Sequence, residues 1–135
     1  MDIDTFIRQH ADIDAIVTEL GRAINMDERN LAAATRWKLA RKLVAHLALE
    51  DKLLYPALIA SNDRETANLA HGMQAEMGNL AERFQSYMEK WDNSSITEQW
   101  SAFRDETQII LTALRKRISK ENHVVYPAYE RLKRH

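Results

Sequence analysis

His46-Leu-Ala-Leu-Glu50-Asp-Lys-Leu-Leu-Tyr55-Pro56-Ala57-Leu58 aligns without a gap on Arg117-Ile-Ser-Lys-Glu121-Asn-His-Val-Val-Tyr126-Pro127-Ala128-Tyr129, at an offset of 117 − 46 = 71 residues. Glu, Tyr, Pro and Ala coincide, and the apolar pair before each Tyr is similar. Both prolines of the chain stand in these Tyr-Pro steps, each about a turn and a half after a Glu that lies on an apolar stripe. Proline inside a helix costs about 3 kcal/mol. The same placement twice therefore reads as a duplicated helix pair with equivalent local bends.

On both sides of each copy, apolar residues recur at intervals of three and four, the mark of amphipathic helices. Phe6, His10, Ile13, Val17, Leu20 and Ile24 form a first stripe, which fades at Asn25-Met26-Asp27-Glu28. Leu39, Leu43, His46, Glu50, Leu53 and Ala57 form a second, which runs out at Ser61-Asn62-Asp63. A third carries Leu69, Met73, Met77, Leu80, Phe84, Tyr87 and Trp91. A fourth carries Phe103, Ile110, Leu114, Arg117, Glu121, Val124 and Ala128, and ends in the cations Arg131, Lys133 and Arg134 with His135. Asn62 with Glu65, and Ser95 with Glu98, have the spacing of capping boxes that open the third and fourth helices. Three Gly and two Pro are too few for a turn-rich sheet protein. The expectation is an all-α, up-down-up-down four-helix bundle that spans residues 1–135 as a single domain.

Composition narrows function. The 135 residues include 20 acidic and 19 basic ones for a formal net charge of −1, which argues against a nucleic-acid binder. The cluster Arg115, Lys116, Arg117 and Lys120 is balanced by nearby acids, and Arg117 faces inward. No stretch approaches the roughly 18 apolar residues of a membrane span, and the acidic start Met-Asp-Ile-Asp is unlike a signal peptide, so a cytoplasmic location is expected. With no cysteine, thiolate zinc sites, iron–sulfur clusters and disulfides are excluded. Metal chemistry is left to His and carboxylates, and a chain of this size folds without a structural metal.

His46 and Glu50, four residues apart, project from one face of helix two, and that face is the apolar one. Glu121 repeats the placement on helix four, and His10 adds an imidazole to the core stripe of helix one. An ionised Glu in a bundle core is costly unless it meets a metal or a charged partner. Two His and two Glu turned inward from three helices suit iron, manganese or zinc. His123 and His135 read as solvated, Asp51 and Asn122 as exposed, and Tyr55 and Tyr126 as packing residues. Trp37, with Val44 and Ala48, gives helix two a second apolar strip, a surface for a protein partner or a homodimer. Trp91 and Trp100 flank the last turn and close that end.

His10 with Ile13, His46-x3-Glu50 leading into Leu54-Tyr55-Pro56, and Glu121 leading into Val125-Tyr126-Pro127 are similar to the motifs of the hemerythrin-like, or HHE cation-binding, family over nearly the whole chain. The resemblance implies a four-helix bundle with non-haem iron in its core, held by His and bridged by two carboxylates. It implies binding or sensing of dioxygen, nitric oxide or iron. By position, His10 and His46 correspond to ligands of one iron, and Glu50 and Glu121 to the bridging carboxylates.

The second subsite departs from the pattern. Arg117 stands where the family places a His on helix four, and arginine does not ligate metals. Helix three offers only His71, with Ala75 where a second His would follow. At about 100° per residue His71 lies roughly 150° from the centre of its apolar stripe, unless Gly72 and Gly78 permit a bulge. Arg117 is read as a fixed charge in place of the second cation. One ion, two ions or a plain ion pair without metal all remain open. Function is expected in sensing or binding rather than turnover: ferritin-like di-iron enzymes carry Glu-x-x-His pairs, whereas the spacing here is His-x3-Glu. The alternative is a metal-free interaction module that uses the Trp37 face.

Overall fold

The structure, a computed structural model, describes residues 2–134, so His135 lies outside the described residues. Helix α1 (Ile3–Asn25) leads into α2 (Arg29–Leu49), which passes through a π turn, π1 (Glu50–Leu54), into the short α3 (Tyr55–Ile59). Then come α4 (Arg64–Met77), α5 (Leu80–Lys90), α6 (Asn93–Glu98) and α7 (Trp100–Lys120). A second π turn, π2 (Glu121–Val125), joins α7 to α8 (Tyr126–Lys133). Four rods result: α1, α2–π1–α3, α4–α5 and α7–π2–α8. α1 packs on α2 and α7, and α5 closes the ring against the same two. No strand occurs among the described residues, and the chain is an all-α four-helix bundle. None of its helices is long and apolar enough to cross a membrane.

The two Tyr-Pro steps explain the π turns. Pro56 and Pro127 have no N–H to give to the fourth residue back, and their rings crowd that carbonyl. The chain responds by bonding Tyr55 N–H to the carbonyl of Glu50, and Tyr126 N–H to that of Glu121, five residues back in each case. One extra residue per turn shifts the phase of everything beyond. Leu53, Ala57 and Val124, expected in the core from an uninterrupted helix, are exposed, and Leu54, Leu58 and Val125 are buried instead. The expectation of equivalent bends is thus met by equivalent π turns, and Leu53, Ala57 and Val124 are corrected by one residue, while Ala128 is buried as expected.

Helix three is also not continuous. It stops at Met77 and restarts at Leu80. A Cβ at Gly78 would lie 2.5 Å from the carbonyl oxygen of Gln74, so the chain turns there on the one residue that leaves this space free. The apolar phase survives the break, with Met73, Met77, Leu80, Phe84, Tyr87 and Trp91 all buried.

Both proposed capping boxes are displaced. Asp63, not Asn62, precedes α4, and its carboxylate accepts from the Thr66 hydroxyl at 2.6 Å. Asp92 opens α6 by accepting Ser95 N–H at 2.7 Å, and α7 follows only at Trp100. Asp27, in the left-handed region at φ 55°, turns the chain out of α1 and accepts Trp100 Nε1–H at 2.8 Å. Trp91 and Trp100 pack around Phe103 at that end of the bundle. Val44 packs against the main core, so the expected second strip on α2 reduces to Trp37, half-exposed, with the Arg36 guanidinium 5.1 Å from its ring centre.

The buried apolar residues fall into two clusters. The larger contains Ile13, Leu20, Leu43, Phe84 and Leu114, and the smaller contains Phe6, Leu54, Leu58, Met73, Val125 and Tyr126. His10, His46, Glu50, Arg117 and Glu121 fall between the two along their helices, as a polar layer across the core.

The corrected cap is testable by urea unfolding. Asp92→Ala is expected to cost about 1 kcal/mol, and Asn62→Ala less than about 0.5. Equal losses would contradict the assignment.

Candidate metal centre

Three members of the polar layer come from regular α-helix and two from the π turns. α1 brings His10, the end of α2 brings His46, and the last turn of α7 brings Arg117. Glu50 and Glu121 are the first residues of the two π turns, one helical turn beyond His46 and Arg117. All five are 0–3% exposed. One ligand atom from each of His10, His46, Glu50 and Glu121 lies within 4.8 Å of all the others.

His46 donates Nδ1–H to Gln9 Oε1 at 2.7 Å, and His10 donates Nδ1–H to Asn122 Oδ1 at 2.7 Å. These amide oxygens only accept, so each ring carries a proton on Nδ1, and the neutral His46 turns its Nε2 lone pair inward, while His10 Nε2 also lies 2.8 Å from the Tyr126 hydroxyl. There, His46 Nε2 meets Glu50 Oε1 at 3.2 Å, and His10 Nε2 meets Glu121 Oε1 at 3.1 Å. His46 Nε2 and Glu121 Oε1 are buried without any hydrogen-bond partner. With the carboxylates ionised and both Nε2 atoms unprotonated, these contacts set acceptor against acceptor, which a cation between them would relieve. Ligands about 2.1 Å from one ion lie about 3–4 Å apart, which is the spacing of these two His–Glu pairs.

The carboxylates are braced across the repeat. Tyr55, in the first copy, donates its hydroxyl to Glu121 Oε2 at 2.6 Å, and Tyr126, in the second, donates to Glu50 Oε2 at 2.5 Å. Burial and the neighbouring carboxylates push both hydroxyls far above the ordinary tyrosine value, which keeps them neutral donors. Arg117 donates Nε–H to Glu121 Oε2 at 3.0 Å and reaches Asp51 Oδ1 at 2.9 Å, Met77 O at 3.3 Å and Glu50 Oε1 at 3.4 Å. Burial alone would lower its value, but Glu121, Glu50, Tyr55 and Asp51 together hold it above the usual range, so it stays charged.

The two Glu titrate apart. Burial, and then the charge of Glu121, push Glu50 well above the ordinary carboxylate value, against the pull of Arg117 and Tyr126. Burial also raises Glu121, but His10, Arg117 and Tyr55 outweigh it and hold that group low. Burial pushes His46 down to about 4, so its ring is neutral at pH 7.

The structure brings His10, His46, Glu50, Glu121 and Arg117 into one cluster and leaves His71 out. α4 runs through His71 and Gly72 as ordinary α-helix without a bulge, and His71 is exposed, as is Ala75. His71 as a ligand is therefore corrected. His123 is exposed, as expected. Asp51 and Asn122 do more than their exposure suggested, and Tyr55 and Tyr126 do more than pack. Gln9 carried no signal beyond standing next to His10.

A family model, hemerythrin HHE cation binding domain, matches residues 1–129. The chain belongs to that family. Among the described residues of this hemerythrin-like chain, the buried His/Glu group is one that could hold a cation. Comparison with curated proteins and with solved structures gave no match.

Arg117 is the counter-charge of this hemerythrin-like core. Arg117→Met is expected to destabilise the metal-free protein by about 3–5 kcal/mol, because it leaves buried carboxylates unpaired. A loss below about 1 kcal/mol in urea unfolding would contradict that role.

Proposed function

We propose that this hemerythrin-like chain binds one divalent ion, iron, through His10, His46, Glu50 and Glu121, and that it works in binding or sensing rather than in turnover. The observation that carries the reading is the pair of partnerless buried atoms, His46 Nε2 and Glu121 Oε1, which face Glu50 Oε1 and His10 Nε2 about 3 Å away. Charge supports a single ion. Once Glu50 is deprotonated, Glu50, Glu121 and Asp51 carry three negative charges and Arg117 one positive, which leaves two for a divalent cation to balance. Arg117 takes the place of a second ion: it is the counterpart of His46 in the repeat and contacts both Glu.

Two imidazoles and two carboxylates suit iron, manganese and zinc alike on donor type. The family favours iron, which would supply a redox-active centre able to bind dioxygen or nitric oxide. Side chains cover the ligands on every side, which suits an ion or a diatomic molecule and not an organic substrate. Glu50 must lose its proton to ligate, so affinity rises with pH and weakens as the solution becomes acidic. His46 is already neutral and adds no competition near pH 7.

The test is metal analysis of protein expressed with iron supplied, beside Arg117→His and His46→Ala. One ion per chain is expected in the wild type, a gain in Arg117→His and a loss in His46→Ala. Two ions per wild-type chain would refute the replacement by Arg117, and none would refute metal binding. Uptake that does not weaken as the solution is made more acidic would contradict the role of Glu50.

A further inference from the structure

The polar layer is held from outside by three side chains that follow one rule: each is the sequence neighbour of one inner residue and the hydrogen-bond partner of another. Gln9 precedes His10 and accepts from His46 at 2.7 Å. Asn122 follows Glu121 and accepts from His10 at 2.7 Å. Asp51 follows Glu50 and accepts from Arg117 at 2.9 Å. A shift of any one helix is thereby felt at two inner groups at once.

The repeat supplies an internal comparison. Asp51 and Asn122 are equivalent positions, 122 − 51 = 71 residues apart, the offset of the whole alignment. The carboxylate stands where the inner partner is a permanent cation, Arg117. The amide stands where the inner partner is an imidazole, His10, and a second amide, Gln9, serves the other imidazole. An amide oxygen accepts a proton bond without adding charge, which matches a neutral ring that carries its hydrogen on Nδ1 and its lone pair on Nε2.

We propose that Gln9 and Asn122 are positioning residues of the metal centre, which hold His46 and His10 in the tautomer and orientation that ligate a cation through Nε2. The proposal rests on the metal-binding reading above and adds to it which residues outside the ligand set govern affinity. Loss of such an outer hydrogen bond typically weakens metal binding about 10- to 100-fold. Gln9 is half-buried and Asn122 exposed, so replacing either leaves the apolar core intact.

The experiment is titration of the metal-free full-length protein with Co²⁺ at pH 8, followed by visible absorbance, with urea unfolding of each metal-free variant alongside. Gln9→Leu and Asn122→Leu are expected to bind Co²⁺ at least 10-fold more weakly than the wild type, with unchanged unfolding midpoints. Gln9→Glu and Asn122→Asp, which restore an acceptor oxygen, are expected to bind at least as tightly as half the wild-type affinity. Leu variants that bind within twofold of the wild type would overturn the proposal while leaving metal binding intact. Weaker binding accompanied by an equally lowered unfolding midpoint would also overturn it, since the role would then be structural. A wild type that takes up no Co²⁺ would instead remove the metal-binding reading, and this proposal with it.

Discussion

Two carboxylates in the middle of a helical bundle, Glu50 and Glu121, set the terms for everything around them. Fully buried, they cannot both be ionised without positive charge close by. Arg117 supplies one unit and bridges them, Tyr55 and Tyr126 each donate a hydroxyl to one, His10 Nε2 lies against Glu121 and the Tyr126 hydroxyl, and His46 Nε2 faces Glu50 without a partner. The remaining charge is what a divalent cation would neutralise. The apolar clusters above and below keep water out, which makes each of these interactions stronger and each imbalance more costly.

The π turns are part of the same solution. Each starts at the carboxylate and ends at the Tyr-Pro step, so a proline six residues downstream reshapes the helix where the Glu projects. The phase slip they introduce turns the hydroxyl of Tyr55 toward Glu121 and that of Tyr126 toward Glu50, across the bundle. In an uninterrupted α-helix those tyrosines, five positions after their Glu, would lie far around the helix from it. π turns of this kind concentrate at functional sites, and here both copies of the repeat carry one.

Much of this was legible in the residues before any coordinates. The stripes located the helices, the repeat located Glu50, Glu121 and Arg117, and helical spacing put His46 beside Glu50. The misreadings have definite physical causes. Leu53 and Val124 were misplaced because a period of 3.6 was carried through turns that contain one residue more. Helix three was drawn as continuous because its apolar phase does run on through the interruption at Gly78. His71 was kept as a candidate on the family pattern, although its phase already pointed to solvent. Gln9 was invisible because partly exposed polar residues obey no periodicity, and its role exists only once α1 and α2 lie side by side.

The central claim is that one cation, not two, completes this core beside Arg117. An anomalous-diffraction map from crystals grown with iron tests it directly. The account predicts one peak per chain, within bonding distance of His10 Nε2, His46 Nε2, Glu50 and Glu121, with Arg117 still paired to Glu121. Two peaks with Arg117 displaced, or no peak among these four residues, would contradict it.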